Sequence, residues 1–170
     1  MSKGMVHIYT GDGKGKTSSA VGLAVRCAGY GKKVKIFQFL KATSTGELES
    51  LKKLGIDVIR INTCTKFFYD MNDEEKLITK NETERAMNSL LSDPCDLLIL
   101  DEIICAVHNG IITADKVIDI IKNKSEKTEL VMTGRNIPEE LLKYADYVSE
   151  IKSVKHPFDK GIDARCGIDY

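Results

Sequence analysis

Near the N-terminus the sequence reads Thr10-Gly11-Asp12-Gly13-Lys14-Gly15-Lys16-Thr17. Closely spaced glycines let successive backbone N–H groups converge on phosphate oxygens. A lysine followed by a hydroxyl residue supplies a charge for those oxygens and a ligand for magnesium. Lys16 and Thr17 fill these two positions. The spacing follows the Walker A pattern G-x-x-x-x-G-K-[ST], with Thr10 standing where the first glycine usually does. A glycine-rich turn without a ligand would have the same composition, so context decides. A strand at Val6–Thr10 and a helix from Thr17 to about Tyr30 flank the loop, as a phosphate site requires. The helix N-terminus adds its dipole to the same point.

Further along, Asp101 and Glu102 stand at the end of the apolar run Leu97-Leu98-Ile99-Leu100. A carboxylate ending a strand beside a phosphate loop can hold magnesium, directly or through water. Either residue could be the ligand, and the strand is expected to lie next to the phosphate loop. Thr133-Gly134-Arg135 follows another apolar run, where Arg135 could meet phosphates with a bidentate fork. Read without the loop, the same residues are a solvated acidic strand end and a surface arginine. His7 reads as core or strand surface and His108 as a helix-end residue, while His156 sits in a polar tail. No Ser–His–Asp or Cys–His set is visible. Such a chain suits a nucleophile that needs no deprotonation.

The elements around these residues alternate. Strands are expected at 6–10, 34–40, 57–61, 96–100, 129–132 and 147–151. Helices are expected at 17–30, 46–54, from the Asn72 cap to about 92, at 113–123, and from Pro138 to 144. Asn72 with Glu75 three residues on forms a capping box. Such alternation means an α/β fold with a mostly parallel sheet covered by helices on both faces. Sheets of this kind bind ligands at the C-terminal ends of their strands. The glycine loop, Asp101-Glu102 and Gly134-Arg135 all fall there. The tail from 152 to 170 has no clear period.

The 170 residues fit one domain, and a formal net charge of zero argues against a surface built to grip nucleic acid or anionic lipid. No apolar run is long enough to span a membrane, and the N-terminus lacks the apolar core of a signal peptide. A cytoplasmic location is the default. The five cysteines are scattered without a C-x-x-C pair, which reads as small buried hydrophobes in a reducing cell.

Taken together the motifs resemble the ATP:corrinoid adenosyltransferases, over nearly the whole chain. The shared marks are the loop from Tyr9 to Thr17, Gln38-Phe39-Leu40-Lys41, Leu100-Asp101-Glu102, and Thr133-Gly134-Arg135. The tail Lys155-His156-Pro157-Phe158-Asp159-Lys160-Gly161-Ile162, with Ala164 and Gly167-Ile168-Asp169-Tyr170, is similar to the family's ending. The resemblance implies a RecA-like P-loop fold, a homodimer, ATP and magnesium, and a reductase that supplies electrons. It implies transfer of the 5′-deoxyadenosyl group of ATP to a Co(I) corrinoid, with release of triphosphate. The family often has Phe-x-Trp after the third strand, crowding the lower face of the corrin. Here Phe67-Phe68-Tyr69 puts Tyr69 at the Trp position; an aromatic pair in the core is the alternative. Some relatives carry an N-terminal extension over the active site. Few residues precede the first strand here, so another segment would have to supply any cover. Two rival readings stay open: a small-molecule phosphotransferase using the same loop, and a nucleotide-binding regulatory switch.

Overall fold

The computed structural model describes residues 3–170; Met1 and Ser2, part of the segment read for a signal peptide, lie outside them. Strand β4 (Leu97–Asp101) shows how the layers form. Successive side chains of a strand point to opposite faces. Leu98 and Leu100 enter one apolar cluster, and Leu97 and Ile99 enter the other. All five residues of β4 are buried, as a central strand with both faces covered demands.

On the first face α3 (Asp73–Ser89), α4 (Ile103–His108), α5 (Ala114–Asn123) and α6 (Glu139–Leu142) contribute Met87, Ile103, Val117 and Leu141. On the second face lie α1 (Lys16–Gly29) and α2 (Glu47–Lys53), through Ala20, Ala24 and Leu51. Ala20 and Ala24 are four residues apart, so one small-residue stripe meets the sheet. Burying a Leu or Ile stabilises the fold by about 1.5–3 kcal/mol. Leu100→Ala, at a fully buried site, would cost about 2–5 kcal/mol.

The remaining strands are β1 (Val6–Thr10), β2 (Val34–Gln38), β3 (Asp57–Arg60), β5 (Glu129–Thr133) and β6 (Tyr147–Glu150). The sheet order is β3-β2-β4-β5-β1-β6, and every pairing is parallel. This is the α/β architecture expected from the alternation. The end of β4 lies beside the phosphate loop as expected, with Thr17 Oγ1 2.9 Å from Asp101 Oδ1, but in the sheet β4 is not the neighbour of β1. β5 is inserted between them and pairs with both.

Boundaries differ where the backbone bends. β2 ends at Gln38 instead of residue 40, because Leu40 takes a left-handed φ of 57°. The bend is braced by the Leu40 N–H donating to Asn62 Oδ1 at 2.8 Å. The helix capped by Asn72 has its full capping box but stops at Ser89. α4 gave no sequence signal: it starts from Glu102 at φ 64°, without a side-chain cap. No helix among the described residues is long and apolar enough to cross a membrane.

Candidate active site

The phosphate loop starts one residue later than the Walker pattern suggests. Thr10 is still strand, buried and paired with Glu150 of β6. The turn begins at Gly11, with φ 101°, where a Cβ would come within 2.4 Å of the Ile151 carbonyl oxygen. Only glycine fits that approach and that φ. The substitution of Thr10 for glycine is therefore accommodated by extending β1. α1 opens at Lys16 with Gly15 before it and no side-chain cap. Its first N–H groups are left for an anion.

Lys16 is buried and donates to the carbonyls of Gly11 at 2.7 Å and Gly13 at 2.8 Å. Burial, and then the nearby Arg135 guanidinium, push its pKa below the ordinary lysine value. Two neutral carbonyls hold this ammonium, and phosphate oxygens would hold it more strongly.

Asp101 distinguishes itself from Glu102. It is 1% exposed and accepts from Thr17 Oγ1 at 2.9 Å, Thr133 Oγ1 at 2.7 Å, Lys41 Nζ at 2.6 Å and Gln38 Nε2 at 3.4 Å. Thr133, at the end of the intervening strand β5, spans the gap that the sheet order creates. Its hydroxyl also accepts from the Glu102 N–H at 2.9 Å, fixing the left-handed turn. Among the described residues no three His, Cys, Asp or Glu side chains converge on a metal-sized site. A divalent ion here would have to combine a hydroxyl and phosphate oxygens with carboxylate. Thr17 and Asp101, already 2.9 Å apart, are the donor types that a magnesium–nucleotide complex takes.

A cavity of about 940 Å³ joins these parts. The residues from Asp12 to Thr17, Lys41, Glu102 and Arg135 line one side, and the tail lines the other. Lys14 ties the two sides together, donating to Asp169 Oδ1 at 2.6 Å and to the Ile168 carbonyl at 2.8 Å. The Lys14 hydrogen bond, with help from Arg165, holds the Asp169 carboxyl well below the usual carboxylate range. His156, hard to place from sequence, caps a short 3-10 turn at Pro157–Lys160 and reaches the cavity wall. Gly134, with φ 148°, lets the chain pass close to Ile104 and Cys105, bringing Arg135 to the cavity, and the Arg135 backbone N–H donates to Cys105 Sγ at 3.2 Å. Burial first, and Glu102 second, push the Cys105 thiol up to about 12.

Residues 2–170 match the family model described as ATP:corrinoid adenosyltransferase BtuR/CobO/CobP. The chain belongs to this adenosyltransferase family. It is 33% identical over 171 residues to the corrinoid adenosyltransferase of Escherichia coli (strain K12), covering 99% of this chain and 86% of that one. It is 34% identical over 176 residues to the corrinoid adenosyltransferase CobA of Salmonella typhimurium, with 99% and 86% covered. Among solved structures it is similar to the flagellar accessory protein FlaH from Methanocaldococcus jannaschii, with a TM-score of 0.58 and 16% identity. That match covers 88% of this chain and 72% of the other. At that identity the likeness concerns the fold, a P-loop α/β core of RecA-like type.

For a member of the adenosyltransferase family the aromatic loop is the remaining segment of interest. Phe67 and Tyr69 do not line the cavity and are 70% and 76% exposed. Their rings stack in parallel with centroids 5.5 Å apart. Neither is a core residue; Phe68 between them packs against the apolar cluster instead. Sequence reasoning missed the parts played by Lys41, Gln38 and Thr133 around Asp101. All three lay within segments shared with the family, but spacing alone assigned them no partner.

Proposed function

We propose that this protein transfers the 5′-deoxyadenosyl group of ATP to a Co(I) corrinoid, releasing triphosphate, in adenosylcobalamin biosynthesis or salvage. The observation that carries the proposal is one cavity shared by a phosphate loop and the C-terminal tail, both within the residues that match the family. Residues 1–170 act as a single nucleotide-binding adenosyltransferase domain in this reading.

The reaction forms a Co–C5′ bond and breaks the C5′–O bond to triphosphate. Co(I) supplies the electron pair for the new bond, and the departing oxygen keeps the pair of the old one. No proton leaves the nucleophile, so no base is required. The protein's task is to align Co(I), C5′ and the leaving oxygen, and to stabilise charge gathering on triphosphate. Lys16 would exchange the carbonyls of Gly11 and Gly13 for phosphate oxygens. Backbone N–H groups of the loop other than that of Gly13, which donates to the Ile151 carbonyl at 2.7 Å, would take the rest together with Lys14 and Arg135. Asp12 lies at the cavity wall and helps shape the loop. Magnesium, held through Thr17 and Asp101 with Glu102 near the same strand end, supplies charge neutralisation to the bound triphosphate.

Phe67 and Tyr69 act on the other substrate in this proposal. Their apolar bulk displaces the lower axial ligand of the corrin and eases reduction to Co(I). A reductase supplies the electrons, two copies of the chain form the working dimer, and the setting is the cytoplasm. Incubation with ATP and chemically reduced corrinoid, followed by phosphorus NMR, tests the assignment. Triphosphate and adenosylated corrinoid are expected. ADP with a phosphorylated acceptor would make the protein a phosphotransferase, and unchanged ATP would favour a regulatory switch.

A further inference from the structure

Lys41 stands where a metal cofactor would be expected to stand. Its ammonium is 2.6 Å from Asp101 Oδ2 and 3.2 Å from Thr17 Oγ1. Those are the carboxylate and hydroxyl assigned above to magnesium. Asp101 is 1% exposed, and a carboxylate buried that deeply needs a compensating positive charge. Lys41 is the cation that meets it.

The lysine is delivered by a braced segment. The left-handed turn at Leu40 directs the chain away from β2, and Asn62 holds that turn through the Leu40 N–H. Arg60 pins both sides of the excursion. Its Nε donates to Gln38 Oε1 at 3.1 Å, and its other nitrogens donate to Thr45 Oγ1 at 2.8 Å and to the Thr43 carbonyl. Gln38 in turn reaches Asp101. The backbone is fixed while the lysine side chain, 23% exposed, lies on the cavity wall with a route outward.

We propose that Lys41 is a resident counter-cation for the metal position, holding Asp101 and Thr17 together until a magnesium–nucleotide complex displaces it. An ammonium and a divalent ion repel each other and compete for the same oxygens, so both cannot occupy that position. When the ion enters, Lys41 loses its carboxylate partner. Its new partners along the cavity wall would be the bound triphosphate and the Glu47 carboxylate, whose charge Lys41 already faces. Metal and nucleotide therefore bind as a pair: magnesium alone is opposed by Lys41, and triphosphate removes the opposition by offering that lysine another anion. Lys41 is a positioning residue before binding and a phosphate contact afterwards.

The inference rests on the placement of magnesium at Thr17 and Asp101, so the test separates the two. Mn2+ binding is titrated without nucleotide by the electron paramagnetic resonance of the free ion, comparing wild type with Lys41→Met. The variant keeps most of the length of the side chain and removes its charge. It is expected to bind Mn2+ at least about tenfold more tightly than wild type, because the competing charge is gone. Magnesium without nucleotide should also raise the melting temperature of Lys41→Met and leave that of wild type unmoved. Affinity for ATP with magnesium should fall in the variant. Lys41→Gln supplies the same comparison if Lys41→Met does not fold. Equal or weaker Mn2+ binding in the neutral variants would overturn the inference while leaving the metal site standing. Tight binding that survives in a Lys41→Met, Asp101→Asn double variant would also overturn it, since the ion would then sit elsewhere. An absence of Mn2+ binding in every form, even with ATP, would bring down the metal placement and the role of Lys41 together.

Discussion

Asp101 is 1% exposed and has four side-chain partners, while Phe67 and Tyr69, beyond the end of β3, are 70% and 76% exposed and stack on each other. The first region is finished before any ligand arrives. Its oxygens and nitrogens are held in place by three strand ends and a helix start, and among the described residues no buried side-chain N or O atom lacks a partner. The second region keeps apolar surface in water, where burial by a partner would be worth roughly 25 cal/mol per Å². Charge must be fixed in advance to stabilise a leaving group without reorganisation. An aromatic pair that works by being covered can wait for what covers it.

The comparison breaks most sharply at Lys16. Lys16→Ala should lower turnover by about 10²–10³-fold, the size seen when one preorganised charge-stabilising donor is lost. Its melting temperature should stay within a few degrees, about 1 kcal/mol for a domain of this size. Near-normal turnover in the folded variant would remove Lys16 from the mechanism.

A smaller, compound effect is expected at the strand end. Asp101→Asn should shift the magnesium dependence of activity to higher concentration and cost about 1.5–3 kcal/mol of stability, because it weakens hydrogen bonds to a charged group. Glu102→Gln should move the magnesium curve less and leave the melt near wild type, since Thr133 bonds its backbone N–H and not its carboxylate. If Glu102→Gln moved the curve more than Asp101→Asn, the metal would belong to Glu102.

The aromatic side of the contrast is sharpened by Phe67→Ala. Stability should change by no more than about 0.5 kcal/mol, as for most exposed sites. Activity starting from Co(II) corrinoid should drop, while activity with chemically prepared Co(I) should be nearly unaffected, and ATP affinity should not move. Tyr69→Trp should be tolerated in both assays. Equal losses from Co(II) and Co(I) would reduce the pair to general structure or binding.

The mildest test uses thiol reactivity as a gauge of the rigid side. At pH 8 Cys166, which is exposed, should alkylate well before Cys105, whose thiol is half-buried and pushed up to about 12 and so carries almost no thiolate. Early loss of Cys105 would mean that the turn before Arg135 opens readily.

What the sequence made legible was local. The phosphate loop lies within eight consecutive residues, the capping box within four, and β4 within one apolar run, so neighbours in the chain carried the signal. The insertion of β5 between β1 and β4 was not legible, because strand order depends on pairing between distant segments. For the same reason Thr133 and Lys41 could not be assigned to Asp101. α4 escaped because its entry is a left-handed glutamate held by a threonine on another strand. Whether Phe67 and Tyr69 were core or surface depended on Phe68 taking the inward position, which three adjacent aromatics leave open.

The sheet order also sets a schedule for synthesis. β1 pairs only with β5 and β6, through contacts such as Val6 with Leu130 and His7 with Tyr147. The first strand to leave the ribosome is thus among the last to find a partner, while β2, β3 and β4 can assemble without it. Non-local pairing of this kind makes folding slow. A nascent chain halted after α5 would already contain the whole loop from Gly11 to Thr17 and yet have neither of the strands that pair with β1 to hold it. The capacity to grip a nucleotide should therefore appear late and abruptly during translation, once the segment from Glu129 to Glu150 has emerged and threaded β1 between its two neighbours.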